Sequence, residues 1–217
     1  MNQQHKPASR TDCSRRQFLA ASAAAGAALG TLSLARSVHA AGSDVIKVGL
    51  IGCGGRGSGA AVNAVNADPN VKLTAMGEVF SDRLTQARGV LQRQLGDKYA
   101  VTDECAFSGF DAYKGVIDSG VDVVLLAEPP HFRPRHLRYA IEQGKHVFCE
   151  KPVAVDGPGV RHVLETTEMA KQKNLNLVSG LCWRHDCGVR ETSKRIQVGA
   201  IGGILAIQEN YLAGTLW

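Results

Sequence analysis

The first group of residues that could do chemistry is a glycine-rich turn at residues 52–57. It consists of Gly52, Cys53, Gly54, Gly55, Arg56 and Gly57. The G-x-G-x-x-G spacing follows an apolar run and precedes a helical pattern, which is typical of a turn that binds a dinucleotide pyrophosphate. Gly52 would allow a tight turn, Gly54 a close approach to the phosphates, and Gly57 close packing of helix on strand. The alternative is a purely structural glycine turn.

A carboxylate follows at Glu78, 21 residues beyond the last glycine of the turn and at the end of a second apolar run. A carboxylate at this place can accept hydrogen bonds from the ribose hydroxyls of the same dinucleotide. Its negative charge would repel a 2′-phosphate, which favours NAD over NADP as the cofactor. Arg83 is close enough in sequence to weaken this preference, and a solvated glutamate is the alternative interpretation of Glu78.

Two further segments follow predicted strands, at residues 127–131 and 144–152. Open α/β sheets bind ligands at the carboxyl ends of their strands, so we expect both segments at the rim of a site. Lys151, between an acid and a proline, could donate a hydrogen bond to a substrate hydroxyl or relay its proton. An ordinary surface lysine is the alternative. The candidate site residues in these two segments are Pro129, Pro130, His131, Glu150 and Lys151.

Short apolar runs alternate with helical periodicities, which predicts an α/β domain with a doubly wound parallel sheet, a Rossmann fold, over residues 41–180. The predicted strands are 45–51, 71–76, 121–127, 146–149 and 175–179. Four helices are predicted, the first over residues 58–67. The second is capped by Ser81 and carries Leu84, Ala87, Leu91 and Leu95, and the third begins at Pro134 with Leu137, Ala140 and Ile141 facing inward. The fourth ends near Lys173 and has Val160, Val163, Leu164 and Thr167 on one face.

Histidine and cysteine spacing does not predict a metal site. His131 and His136 are five residues apart and do not share a helical face, so we expect solvated or substrate-rim side chains. Five cysteines follow residue 40, and an odd number does not describe a disulfide framework. We expect buried, unreactive thiols, with a Cys182–Cys187 bridge left open because an oxidising compartment would permit one. The five are Cys53, Cys105, Cys149, Cys182 and Cys187.

Residues 1–40 have the order of parts of a secretory signal. Arg15 and Arg16 form a twin-arginine core, an alanine-rich apolar stretch covers residues 20–34, and small residues before Ala41 predict cleavage near Ala40. The apolar stretch is shorter than the ~20 residues of a membrane-spanning helix. We therefore expect a periplasmic or exported protein with no stable membrane span. An uncleaved anchor or a disordered basic tail is the alternative.

Charge argues against a nucleic-acid-binding role. The 217-residue chain has a formal net charge of +5, and residues 1–40 hold five of its bases but only one of its acids. The remainder is close to neutral, so no basic face is expected there for a phosphate backbone.

The glycine turn, Glu78, the Pro129-Pro130 pair and Glu150-Lys151-Pro152 together resemble the Gfo/Idh/MocA oxidoreductases, which include glucose–fructose oxidoreductase and inositol dehydrogenase. The resemblance implies a nicotinamide-binding Rossmann domain followed by a second α/β domain. It places Lys151 near the nicotinamide and the substrate, with Glu150 positioning the loop and the Pro-Pro pair beside the cofactor.

The same resemblance predicts that residues 181–217 are the incomplete, truncated start of the second domain, with its first strand at residues 204–211. A basic pair at Arg184 and His185 marks the entry to that domain, and His185 is a second candidate catalytic residue. Family members continue further and carry an Asp-x-x-x-His pair. No Asp in this chain is followed by His at the fourth position, so we expect a fragment or a truncated product.

The implied function is hydride transfer at a hydroxyl of a sugar or polyol, with NAD, less favourably NADP, as the cofactor. Because twin-arginine export carries folded proteins, we expect the cofactor to be tightly bound. The expected partners are the substrate, the twin-arginine export machinery and, at full length, further copies of the chain. The alternatives are a redox-neutral glycosidase that uses bound NAD and a dinucleotide-binding module without turnover.

Overall fold

Apolar runs and helical stretches alternate along residues 45–210, the part of the chain that the computed structural model describes. The strands are β1 (Ile46–Ile51), β2 (Val71–Glu78), β3 (Ala106–Ser108), β4 (Val123–Leu126), β5 (His146–Cys149) and β6 (Leu177–Ser179). The helices are α1 (Gly55–Ala67), α2 (Ser81–Leu95), α3 (Ala112–Asp118), α4 (Arg133–Glu142), α5 (Gly157–Gln172) and α6 (Cys187–Gln197), with 3₁₀ turns at Gly96–Lys98, Asp103–Cys105 and Cys182–Arg184. The signal segment, its cleavage site near Ala40 and residues 211–217 lie outside the described residues.

The six strands form one parallel sheet in the order β3-β2-β1-β4-β5-β6. The order reverses between β1 and β4, and ligands of doubly wound sheets bind at the carboxyl ends of the strands beside such a point. The predicted Rossmann fold is therefore confirmed. The turn at residues 52–57 and the segment after β4 both lie at this reversal.

Side chains of β1 alternate between two hydrophobic clusters, as the period of a strand requires. Val48 and Leu50 pack with α1 and α2, whereas Ile51 packs in the cluster of α3, α4 and α5. Helices thus cover both faces of the sheet, which keeps its strands buried and its carboxyl edge fixed.

Element boundaries differ from the sequence prediction where long-range pairing decides them. The helix predicted at residues 58–67 begins earlier, at Gly55, and the second strand extends to Glu78. The fourth strand is shorter than predicted, because residues 121, 122 and 127 lie outside the ladder. Strand β3 and helix α3 were not predicted, since each is too short to show a period.

Two helix details of the sequence prediction are wrong. Ser81 is the first residue of α2 and not its cap, because the N-cap position is Phe80, which makes no side-chain cap bond. On α5, Leu164 is 61% exposed, whereas Thr166 is fully buried. Thr166 can be buried because its hydroxyl donates to the carbonyl of His162 at 2.8 Å. The stripe that packs on α4 is therefore Val163, Thr166 and Ala170.

The strand predicted at residues 204–211 is absent from its described part, residues 204–210, which are exposed and have no regular structure. A strand exists through hydrogen bonds to a neighbour. No described residue pairs with this segment, so its apolar character alone does not make it a strand.

Candidate functional site

The glycine turn joins β1 to α1 and lies against two neighbouring strands. Gly52 has a φ of +88°, which glycine adopts without strain. Its N–H donates to the carbonyl of Gly77 in β2 at 2.9 Å, and a Cβ at this position would lie 2.5 Å from the nitrogen of Glu128 after β4. Only glycine fits between these two strand ends.

The amino end of α1 is held close to this turn and is open on its outer side. A Cβ at Gly57 would overlap the carbonyl oxygen of Gly52, so the helix packs directly on the turn. At Gly54 and Gly55, in contrast, an added Cβ would meet no atom within 4 Å. The first N–H groups of a helix lack partners within the helix and attract anions. The turn therefore has the form of a phosphate cradle.

Glu78, the last residue of β2, is fixed by backbone N–H groups. Its Oε2 accepts from Cys53 of the turn at 2.9 Å, and its Oε1 accepts from Val79 at 2.8 Å. These bonds hold the carboxylate beside the turn, where a ribose would lie next to the phosphates. Arg83 is exposed and lies over the ring of Phe80, with 5.2 Å between the guanidinium carbon and the ring centre.

A buried arginine joins the two loops that follow β4 and β5. Arg133 is 5% exposed, its Nη2 donates to the carbonyl of Glu128 at 2.5 Å, and its Nη1 donates to the carbonyl of Pro152. Two loops far apart in the sequence are thus fixed by one guanidinium at the same edge of the sheet.

Glu128 and His136 form a second buried pair at this edge. The Nδ1 of His136 lies 3.2 Å from Glu128 Oε1, and the imidazole stacks on Tyr113 with 4.0 Å between ring centres. The other carboxylate oxygen, Oε2, is buried without a hydrogen-bond partner among residues 45–210. His136 is 7% exposed, so its predicted solvated or rim position is wrong.

An ion pair connects the glycine turn to the lysine loop. The Nη2 of Arg56 lies 2.5 Å from Glu150 Oε1, and Glu150 is 3% exposed. The backbone N–H of Lys151 donates to Glu150 Oε2 at 3.3 Å. Glu150 therefore touches the turn on one side and the chain of Lys151 on the other.

Lys151 is exposed and lines a groove of about 810 Å³ together with residues of the turn 182–184 and of helix α6. Arg184 lines this groove and His185, although exposed, does not. At the other loop Pro129 and His131 are exposed and Pro130 is half-buried. The structure thus gathers the turn, Glu78, the Pro-Pro segment and Lys151 at one edge, and His185 directly follows the turn 182–184 without lining the groove.

Arg133 and His136 contribute to the site and were not recognised from the sequence as buried. A usable signal was present, because residues 133, 136 and 140 follow the three-to-four-residue spacing of one helical face. Ala140 was predicted to face inward, so the same stripe carries Arg133 and His136 inward too.

The cysteines divide into three groups: the expectation of buried thiols holds for Cys53 and Cys149, Cys105 is half-buried, and the other two are exposed. Burial raises the pKa of both Cys53 and Cys149 to about 12, with Glu78 and Glu128 respectively as the next causes. Cys182 and Cys187 are exposed and unbridged, which corrects the prediction for these two. They lie in the turn 182–184 and at the start of α6, where the described chain does not cover them.

Residues 45–210 contain no cluster of three or more His, Cys, Asp or Glu side chains suited to a metal ion. They also contain no helix with the length and apolar character of a membrane span.

Residues 46–181 match the family described as the oxidoreductase family with an NAD-binding Rossmann fold, and the chain belongs to this Gfo/Idh/MocA family. Residues 12–31 match the signal sequence of the twin-arginine translocation pathway, so the chain carries a signal for export.

The similar proteins include sugar- and polyol-converting enzymes. Inositol 2-dehydrogenase 3 of Saccharopolyspora erythraea is 30% identical over 158 residues, covering 72% of this chain and 42% of that protein. Glycosyl hydrolase family 109 protein 1 of Bacteroides fragilis is 27% identical over 171 residues, covering 78% of this chain and 35% of that protein. The chain spans less than half the length of these relatives.

Solved structures show the same fold with either nicotinamide dinucleotide. The scyllo-inositol dehydrogenase of Lactobacillus casei with bound NAD(H) and scyllo-inositol has a TM-score of 0.56 at 26% identity, covering 73% of this chain and 43% of that chain. A 3-ketoreductase variant from Actinomadura kijaniata in complex with NADP has a TM-score of 0.57 at 25% identity, covering 74% of this chain and 46% of that chain.

Proposed function

We propose that this chain is the dinucleotide-binding part of an exported oxidoreductase that uses NAD and acts on a hydroxyl group of a sugar or polyol. The observation that carries the proposal is the ion pair between Arg56 and Glu150. It fixes the glycine turn and the Lys151 loop at one edge of the sheet. Cofactor and substrate groups bound there would be neighbours.

The residues at the turn fit a dinucleotide. The open side of Gly54 and Gly55 and the free N–H groups of α1 suit the pyrophosphate. The Glu78 carboxylate accepts three backbone bonds, from Cys53, Val79 and Phe80, and retains a lone pair for a ribose hydroxyl. Its charge favours NAD, since a 2′-phosphate would lie against a carboxylate that the backbone prevents from turning away.

The nicotinamide, when bound, supplies the hydride-accepting chemistry. Lys151 would donate a hydrogen bond to the substrate hydroxyl oxygen and stabilise negative charge there as the hydroxyl proton passes to a base or a water molecule. Glu150 and Arg133 would hold the lysine loop in place through Arg56 and the carbonyl of Pro152. His185 remains a predicted second catalytic residue.

The export signal supports a periplasmic location after cleavage near Ala40. Free NAD is scarce outside the cytoplasm, so an exported enzyme benefits from a cofactor that is loaded before export and does not exchange. We therefore propose tight retention of the nicotinamide cofactor. Extensive dialysis of the exported protein, followed by measurement of bound nicotinamide, tests this; a protein recovered without cofactor would contradict it.

The experiment for the proposed function measures NAD binding by calorimetry and NADH formation with a panel of polyols and sugars. Replacing Lys151 by Met should lower turnover about 100-fold and leave NAD affinity nearly unchanged. The matched control is Lys171→Met, because Lys171 is exposed and pairs only with Glu168 on α5. NAD binding without NADH formation from any compound would contradict the oxidoreductase and favour the binding module.

A redox-neutral glycosidase is the second candidate, favoured by the similarity to the family 109 glycosyl hydrolase. In that case an aryl glycoside would release its phenol in the presence of NAD without net NADH. Removing NAD should stop the release.

A further inference from the structure

The groove beside Lys151 has a charge pattern that the proposed function does not require. Its described lining contains no Asp or Glu, and its four charged residues are all cations. They are Lys151, Arg184, Arg190 and Lys194.

None of these four cations is in an ion pair with a carboxylate within residues 45–210. The nearest acids in sequence have other partners. Asp186 accepts the N–H of Val189 at 2.8 Å and so caps α6, and Glu191 accepts from Nε of Arg195 at 2.9 Å. Glu150 is engaged by Arg56. The groove therefore holds four positive charges that the described protein does not neutralise.

Helix α6 arranges its cations unevenly. Arg190 and Lys194 are four residues apart on the groove side, where two like charges repel each other. Arg195, which does not line the groove, is the one that pairs with an acid. Lys194 lies in the last turn of α6, where the helix dipole favours a cation, whereas Arg190 lies in the N-terminal half, where it does not. An anion bound between the two side chains would offset their repulsion.

Trp183 adds an apolar platform to the same groove and is 73% exposed. Aromatic rings pack against the C–H faces of sugar rings, and their polar edges tolerate water. Arginine guanidinium groups bind carboxylates and phosphates through paired hydrogen bonds. A polyhydroxy ring with one anionic group matches this combination.

We propose that the substrate is an anionic sugar or polyol, bearing a carboxylate or a phosphate that Arg190 and Lys194 bind while the reacting hydroxyl faces Lys151. This inference rests on the proposed function and specifies its substrate class. The neutral polyols processed by similar proteins would then be poor substrates here.

The test compares glucose, galactose and mannose with their uronates and their 6-phosphates, using the full chain and NAD. We expect kcat/KM for one anionic series to exceed that of the neutral sugars about tenfold or more. Which series prevails distinguishes a carboxylate from a phosphate. The advantage should shrink as salt rises from about 0.05 to about 0.5 M.

The variant Arg190→Gln/Lys194→Gln should lose this advantage about tenfold while its activity on neutral sugars changes less than about twofold. Arg195→Gln is the matched control on the same helix and should resemble the parent chain. Equal kcat/KM for all three series would overturn the proposal, as would an equal loss in the control. A tenfold loss of NAD affinity in the double variant would also overturn it, because the groove would then serve the cofactor.

Calorimetry separates this inference from the proposed function. If NAD binds but no sugar is oxidised, the oxidoreductase function fails. The same nine compounds then test binding alone, in the presence of NAD. Binding of anionic sugars that the double variant loses would support the anion site, and no binding of any compound would contradict it.

Discussion

The two ends of the candidate site are built in different ways. At the glycine turn, backbone contacts set the geometry, with Gly57 packed on the carbonyl of Gly52 and Glu78 held by three N–H groups. At the Lys151 loop, buried charged side chains set it, through Arg133 and Glu150. The first end excludes added atoms, and the second depends on charges that must keep their partners.

The sharpest test of the backbone-built end is Gly57→Ala. The new Cβ would overlap the carbonyl of Gly52, so the turn must open or α1 must shift. We expect NAD affinity to fall about 100-fold, together with a loss of several kcal/mol of unfolding free energy. Calorimetry and urea unfolding measure the two effects.

The matched control is Gly89→Ala, in the middle of α2, where an added Cβ meets no atom within 4 Å. This change should stabilise the protein by about 0.5–1 kcal/mol and leave NAD binding intact. Equal effects of the two substitutions would show that the contact between Gly57 and Gly52 has no special role.

The charge-built end is tested by Arg133→Met, with Arg138→Met as the control on the exposed side of α4. Removing Arg133 leaves the carbonyls of Glu128 and Pro152 without this donor, at about 1–3 kcal/mol for each buried group. Urea unfolding should show a loss of about 2–4 kcal/mol, against less than about 0.5 kcal/mol for the exposed Arg138 pair.

The turnover of the Arg133→Met variant distinguishes a role of Arg133 in positioning the Lys151 loop from a role in stability alone. If Arg133 positions the Lys151 loop, kcat should fall at temperatures where the variant remains folded, while NAD affinity stays near that of the parent chain. Arg133→Lys, which keeps the charge but not the fork of donors, should recover part of the lost stability. Unchanged kcat in a folded Arg133→Met protein would restrict the role of Arg133 to packing.

A smaller effect is expected from the charge of Glu78 on cofactor choice. Glu78→Gln removes the negative charge and keeps one of the two acceptor oxygens, while its NH2 group takes the place of the other. The preference for NAD over NADP should fall about tenfold. Asp82→Asn, on the exposed first turn of α2, is the control, and equal affinities for the two dinucleotides in the parent chain would contradict the assignment.

The smallest effect concerns the buried thiols, one at each end of the site. The ordinary pKa of a cysteine thiol is 9.0, and burial raises the pKa of Cys53 and of Cys149 to about 12 in the folded chain. The unfolded chain therefore releases protons that the folded chain keeps, so stability falls as pH rises above about 8. At pH 9 the loss is about 0.4 kcal/mol for each thiol.

Urea unfolding at pH 8 and pH 9 measures this loss. The variant Cys53→Ala/Cys149→Ala should lose that part of the pH dependence, whereas Cys182→Ser/Cys187→Ser should keep it. The same pH dependence in all three proteins would show that the buried thiols contribute nothing to it.

The backbone-built end could be predicted from the sequence, and the charge-built end only in part. The turn and Glu78 lie on consecutive elements, so spacing alone places them together. The partner of Glu150 is Arg56, which lies 94 residues earlier in the chain, and no local pattern reveals this pair. Arg133 and His136 were missed because charged residues are seldom buried without partners, and their partners are carbonyls and one carboxylate from other loops.

Strand predictions were right where the segment has a pairing partner in the sheet and wrong where it has none. Strand β5, at His146–Cys149, has the predicted bounds because its apolar run coincides with its ladder. The segment 204–210 has a similar composition but no partner among the described residues, and it is not a strand. Local composition identifies what could pair, and only the neighbouring elements decide what does.

The contact between Gly180 and Glu150 has a consequence for how this sequence can change. A Cβ at Gly180 would lie 2.9 Å from Oε1 of Glu150 and 3.0 Å from Oε2. A larger residue at 180 therefore requires either that the Glu150 carboxylate move or that residue 150 become shorter, and both changes disturb the ion pair with Arg56. The three positions form an epistatic set, in which the order of mutations determines which routes through sequence space remain open.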